Sequence, residues 1–268
     1  MNKTSIILIR IGFFLFISVA GLTSLFSVER SDSTTHSLLL NGTFLNPNFS
    51  DQLVTPFHTH GLGGGGEVVY GLRTNHFGLD AGLKGGGGRL FSGNSNFVDH
   101  DDFFAKTSFY LNTAYRFPLF GENDHLMMGL RTDYQIELFL LSHIDSYDWA
   151  GDLSFLPSVA YEYEFKGGRL TTSLALSLFS LVNRPPWTIY DDDLDQRMSS
   201  SPSSVLLRGE AAGPNRYFRM IYDLHWESRL SSHFLLNTGG SFQYIKTSIP
   251  QDAIFFTTAV DLGVKYVF

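Results

Sequence analysis

Three short stretches hold the side chains best suited to chemistry. In NFVDHDDFF, Asp99, His100, Asp101 and Asp102 stand in a row, and TIYDDDLDQ gathers Asp191, Asp192, Asp193 and Asp195. Clustered carboxylates can hold a divalent cation, share a proton, or activate water beside an imidazole base. Asp99, His100 and Asp101 are therefore the catalytic candidates of the chain. The third stretch, YDLHWESR, spaces Asp223, His225 and Glu227 two residues apart. On a strand that spacing puts all three on one face, as a proton relay or a metal set requires. The simpler reading makes the acidic runs solvated surface and the third stretch a satisfied internal network. His125 and His233 are expected near the same end as that stretch, yet no ligand spacing singles out a metal. The glycine runs 63–66 and 85–88 lack the strand–loop–helix setting of a phosphate loop, and no cofactor is expected.

The elements that carry these residues read as strands. The closing TTAVDLGVKYVF alternates without a break, with Val260, Leu262, Val264, Tyr266 and Phe268 on one face and Asp261 and Lys265 on the other. LMMGLRTDYQIEL does the same, with Leu126, Met128, Leu130, Tyr134, Ile136 and Leu138 outward and Met127, Arg131, Asp133, Gln135 and Glu137 inward. Period-two alternation of this kind recurs about ten times. Strands are expected over 36–45, 65–73, from Phe77 to Leu83, over 104–117, 126–138 and 153–165, from Leu170 to Leu178, and over 218–229, 233–246 and 257–268. Short turns near 74–76, 118–124, 166–168 and 230–232 alternate with longer connections at 46–64, 86–103, 140–151, 181–214 and 247–253. Charged residues are only 17 % of the chain, with 25 Phe and 12 Tyr. Tyr115, Phe117, Tyr161, Tyr163, Phe165, Trp226, Tyr266 and Phe268 all fall at the short-turn ends, on the apolar face. Amphipathic rings collect there when a wall crosses a lipid headgroup layer. The expected fold is all-β, a single up-and-down antiparallel transmembrane barrel of about ten strands.

Residues 1–27 read as a secretory signal peptide, leaving 28–268 as the barrel. Lys3 and Arg10 precede an apolar run, and Ser18-Val19-Ala20 or Ser27 offers small residues for cleavage. The chain has no cysteine, so disulfides and a lipid-modified cysteine are excluded. Removing the signal leaves 17 basic against 26 acidic residues, an excess that argues against nucleic acid.

The expected inward face carries equal numbers of basic and acidic side chains. Its network is read as Arg131, Asp133, Glu137, Arg219, Asp223, His225, Glu227 and Arg229. Balanced charges in a lumen this narrow pair with each other and with water, so a plugged or very narrow pore is expected. The two glycine runs flank one hairpin, and pairing about residue 75 sets them opposite each other near the external rim. They form a wall patch without side chains, read as a bend or bulge, or more sharply as a lateral gap for a lipid-like ligand.

The terminal GVKYVF resembles the C-terminal recognition signal of bacterial outer-membrane proteins, with Tyr266 and Phe268 as its aromatics. That resemblance implies assembly by the barrel assembly machinery. FFTTAVDLGVKYVF and LPSVAYEYEF, on ten strands with five external loops, resemble the omptins, outer-membrane endopeptidases of Gram-negative bacteria. Omptins activate water between an Asp-x-Asp pair on the second loop and an Asp-x-His pair on the fourth. Asp99 and Asp101 match the first pair in spacing and loop. The fourth loop here, 181–214, contains no histidine, so the general base that the resemblance implies is missing. The favoured reading is non-enzymatic: an integral barrel of the cell outer membrane, acting in surface interaction or as a narrow, largely plugged pore. The alternatives are an omptin-like endopeptidase and a transporter of small or lipid-like molecules. The expected partners are outer-membrane lipid and lipopolysaccharide, with an external ligand not identified by sequence, and the barrel is expected to be a monomer.

Overall fold

A sheet in hydrocarbon has no water to satisfy its edge groups, so it must close on itself. The computed structural model, which describes residues 34–51, 55–92, 102–119, 121, 123–141, 146–184 and 209–268, does so. Its strands are β1 (Thr35–Asp51), β2 (Thr55–Arg73), β3 (Phe77–Ser92), β4 (Phe103–Pro118), β5 (Asp124–Leu141), β6 (Ser146–Phe165), β7 (Gly168–Leu176), β8 (Phe179–Asn183), β9 (Glu210–Ala212), β10 (Tyr217–Arg229), β11 (Phe234–Thr247) and β12 (Ala253–Val267). These twelve segments make ten staves. β7 and β8 both pair with β6, and the stave is interrupted where the Ser177 N–H turns to the Arg219 carbonyl (2.8 Å) and the Leu178 N–H to that of Phe155 (3.0 Å). β9 and β10 likewise share a stave, broken by a turn in which the Tyr217 N–H donates to the Gly213 carbonyl at 2.9 Å. Each stave pairs antiparallel with its neighbours, and the β1–β12 ladder completes the ring. The ends of the barrel meet at His36 and Phe268, which exchange backbone hydrogen bonds of 3.2 and 3.0 Å. The segment 1–27 lies outside the described residues.

The two faces of the wall separate as the alternation requires. Val260 and Leu262 are 63 % and 60 % exposed on the outside, while Asp261 between them is 2 % exposed inside. The aromatics at the short-turn end form a girdle: Tyr115–Phe117, Phe165–Trp226 and Tyr266–Phe268 lie 4.7, 5.7 and 5.7 Å apart between ring centroids. The two-residue turn between Phe165 and Gly168 places Gly167 at φ 105°, where a side chain would be strained.

The staves are longer than the alternation alone indicates. β1 runs on to Asp51 and β2 begins at Thr55, where a connection over 46–64 is expected, and β3 continues to Ser92. The reason is a change of pattern. Past Phe44 the outward positions of β1 become Asn46 and Asn48, hydrogen bonded to each other at 3.0 Å, while the inward ones are the buried Leu45 and Phe49. On β11 the same exchange sets exposed Lys246 beside buried Ile245. On β1 and β11 the wall thus turns polar outside and apolar inside, while β12 between them keeps Ile254 and Phe256 exposed on its outer face. Staves of 14 to 20 residues fit this division. At roughly 3.3 Å per residue and a tilt of about 40° they stand ~35–50 Å tall, against an apolar band of about 25 Å.

The glycine runs pair as expected, Gly63 with Gly88 through Gly66 with Gly85, but at mid-strand rather than at the rim. The ladder passes through them with neither bulge nor opening. A Cβ at Gly65 would lie 2.3 Å from the Gly85 carbonyl oxygen and one at Gly88 2.1 Å from that of Leu62, so the strands approach too closely there for any side chain. Inside, the ring of Phe104 and the Leu45 methyl stand over Gly63 and Gly86 and close the lateral gap.

Because the chain lacks cysteine, single cysteines report the belt directly. In reconstituted vesicles, Lys246→Cys is expected to react with a charged maleimide and Leu262→Cys to be protected, although both side chains stand on the outer wall. Equal labelling of the two would contradict a lipid-facing position for Leu262.

Candidate functional site

The described site-type residues converge inside the barrel. Inward positions recur every second residue, so one strand supplies several groups in a column. β5 supplies Arg131, Asp133, Gln135 and Glu137; β10 supplies Arg219, Asp223, His225 and Glu227. Neighbouring columns are then close enough to bond.

Arg219, 1 % exposed, is the centre of the upper group. Its Nη1 donates to Asp152 Oδ1 at 2.9 Å, and its Nη2 to Asp133 Oδ1 at 3.0 Å and Gln135 Oε1 at 2.8 Å. Asp133 also accepts from Arg131 at 2.8 and 3.0 Å, and Arg131 reaches Asp223 at 3.4 Å. The Arg131 guanidinium lies 4.3 Å from the centroid of Tyr110, whose hydroxyl donates to Glu67 at 2.9 Å. Several bonds cross the lumen. Lys106 on β4 pairs with Glu137 at 2.7 Å and donates to Gln243 on β11, and Gln243 donates to Gln135 on β5 at 2.8 Å.

A second group lies toward the short-turn end. Glu162, fully buried, accepts from Arg73, from Arg116 at 2.6 Å and from Arg169 at 3.0 Å. Lys265 donates to Glu227 at 2.7 Å. Arg116 also donates to Glu164 at 2.8 Å and faces His125 Nδ1 at 3.0 Å. A guanidinium only donates, so His125 must accept at Nδ1 and carry its proton on Nε2. Among the described residues, His125, Glu162 and Glu164 are the grouping nearest to a metal set. Arg116 already bonds all three and supplies the positive charge a cation would bring.

Between the two groups lies a cavity of about 220 Å³. Arg73, Lys84, Lys106, Arg131, Arg219 and Lys265 line it against Glu67, Asp80, Asp133, Asp223, Glu227 and Asp261, so its formal charges balance. His225 faces this cavity with its ring over Gly239, where a Cβ would lie 2.3 Å from Nδ1. Its Nδ1 has no hydrogen-bond partner among the described residues.

Of the residues expected in the network, Arg131, Asp133, Glu137, Arg219, Asp223 and Glu227 are ion-paired inside the barrel. Arg229 is exposed at the end of β10 and joins no ion pair among the described residues. Tyr266 and Phe268 stand on the outer wall, 40 % and 57 % exposed. Asp99, His100 and Asp101 lie outside the described residues, as do Asp191, Asp192, Asp193 and Asp195. Sequence reasoning missed Asp152 and Tyr110. Asp152 alternates with Ser154 and could have been found by extending the β6 pattern by one step. Tyr110 carries no formal charge to mark it as an inward residue.

No protein-family model matches the chain, and no curated protein matches it. Solved structures do, at low identity. The outer membrane protease OmpT from Escherichia coli is 10 % identical over 88 % of this chain and 97 % of its own, with a TM-score of 0.48. An outer membrane channel from Pseudomonas putida F1 is 11 % identical over 90 % of this chain and all of its own, with a TM-score of 0.44. The translocator domain of the autotransporter NalP from Neisseria meningitidis is 10 % identical over 95 % of each chain, with a TM-score of 0.45. A protease, a channel and a translocator stand together here, so the likeness concerns barrel architecture and selects no activity.

The network makes a prediction of its own. Removing one member of a buried pair leaves the other charge uncompensated, typically about 3–5 kcal/mol of destabilisation. Arg219→Met strands Asp152 and is expected to lower the denaturant midpoint in detergent accordingly. Adding Asp133→Asn and Asp152→Asn is expected to recover most of the loss, because the carboxylates then need no cation.

Proposed function

We propose that the chain is an integral barrel of the outer membrane that works through its external loops, in surface interaction, with its lumen closed to through-flow. One observation carries this reading: side chains bond across the lumen, from Lys106 on β4 and Gln135 on β5 to Gln243 on β11. An open pore needs a wide aqueous path, and side chains that meet across the diameter, these and the Phe49–Phe139 rings at 4.7 Å, leave none. The charge balance around the cavity supports the same reading, since a selective pore carries an excess of one sign at its constriction. An export signal over residues 1–27 and the closing strand with Tyr266 and Phe268 support delivery to the outer membrane and assembly there.

The spacing of Asp99 and Asp101 favours one other reading, an omptin-like endopeptidase, whose imidazole would have to come from outside the fourth loop. A panel of basic peptides separates the two. Cleavage that disappears in Asp99→Ala or Asp101→Ala would replace surface interaction with proteolysis.

The closed lumen has a direct measurement. In planar bilayers the refolded barrel is expected to give no stable current steps above background. Regular steps from the unmodified protein would sink the closed-lumen reading.

A further inference from the structure

The charged network is the obvious obstruction in the lumen, but it is a wet one. Paired charges around a cavity of about 220 Å³ leave room for several water molecules within reach of polar groups, although Leu39, Val69, Met127 and Ile221 line it too. Such a tier can conduct once water is continuous through it. Above it, toward the longer connections, most inward side chains become apolar, with Thr59, Thr247 and Arg184 buried among them. Leu45, Phe49, Phe104, Phe139, Ile245 and Phe255 are each 3–7 % exposed and belong to one buried cluster. They come from β1, β4, β5, β11 and β12, so the cluster fills the lumen from both sides rather than lining one wall.

Three rings form its centre. Phe49 and Phe139 are 4.7 Å apart between centroids, Phe49 and Phe255 5.9 Å, and Phe139 and Phe255 6.1 Å. β5 is four places around the ring from β1, so the Phe49–Phe139 contact crosses the lumen. The wall is shaped for this cluster. At β2 and β3, where an inward side chain would compete for the space, Gly63 faces the Phe104 ring at 2.7 Å and Gly86 the Leu45 methyl at 2.6 Å, measured from an ideal Cβ. The glycine ladder thus has an inner partner: it makes room for the apolar tier.

We propose that this apolar tier, and not the ion-pair network beneath it, is the seal of the barrel. It works as a dewetted constriction: three packed rings at its centre offer water no hydrogen bonds, so neither water nor ions pass between them, and the buried Arg184 guanidinium stands to one side, 5.8 Å from the Phe255 centroid. Relieving the constriction connects the polar cavity to the external side, and salt ions of both signs then pass through a lining of balanced charge. This inference rests on the closed-lumen reading and locates the closure within it.

The test compares two triple variants in planar bilayers. Phe49→Ala, Phe139→Ala and Phe255→Ala together empty the tier. Phe44→Ala, Leu138→Ala and Phe256→Ala remove as many apolar side chains from the outer face and keep the tier. Folding of each is checked by circular dichroism and by the heat-dependent shift in gel mobility of intact barrels. The first set is expected to give stable current steps with a reversal potential near zero in a salt gradient, and the second to stay as silent as the unmodified protein. If the inner set does not fold, Phe139→Asn alone hydrates the tier with most of its packing kept, and is expected to conduct. A folded inner-face variant that remains silent beside a silent parent overturns the proposal, as does an outer-face set that conducts equally. Conduction by the unmodified protein would instead overturn the closed-lumen reading on which it rests.

Discussion

Backbone hydrogen bonding without water is the constraint on which the rest of this structure depends. In hydrocarbon each unpaired N–H or C=O is costly, so ten staves must close with no free edge. Closure by sequential antiparallel neighbours brings the first and last strands together, which is why β1 and β12 share a ladder from Ser37 and Val267 to Asp51 and Ala253. Once the ring is closed, the pleat sends alternate side chains outward to lipid and inward to a narrow space. The composition of that space then follows from what can be satisfied there.

Two solutions to the inner space occur in one barrel. Through the apolar belt the lumen holds charges, and most find an opposite one on another stave, while Glu67 accepts from Asn41 and the Tyr110 hydroxyl instead. Arg219 between Asp133 and Asp152 is the densest example. A pair of this kind adds little net stability over a hydrocarbon filling, but leaving one partner alone is costly. The network therefore specifies how the staves are arranged more than it strengthens them. Farther along, where Asn46, Asn48 and Lys246 face outward, the lumen holds Phe49, Phe139, Ile245 and Phe255 and packs like the core of a soluble barrel.

The glycine ladder of β2 and β3 connects these two regions. Its residues need no unusual φ. Gly63, Gly65, Gly86 and Gly88 are required by proximity, because cross-strand backbone and the ends of Leu45 and Phe104 occupy the places where their Cβ atoms would go. An unbroken hydrogen-bonded wall and a filled lumen are both served by the same absence of side chains.

The sequence by itself determined the all-β fold, the count of staves, the turns at one end and the sign of each face through the belt. Val260, Asp261 and Leu262 are legible because one lipid-facing surface and one enclosed surface impose a strict period of two. Even the pairing of the glycine runs follows from the hairpin between Arg73 and Phe77. The tertiary structure alone decided which inward charges meet, since Lys106 and Gln243 are 137 residues apart and share no local pattern. It also decided that the staves continue past the belt and carry an apolar tier inside. Periodicity could not show this, because around Phe139 both faces are apolar and along Leu45 to Phe49 the faces exchange polarity. A rule that reads one greasy face stops where lipid stops, whereas the hydrogen-bonded ladder does not.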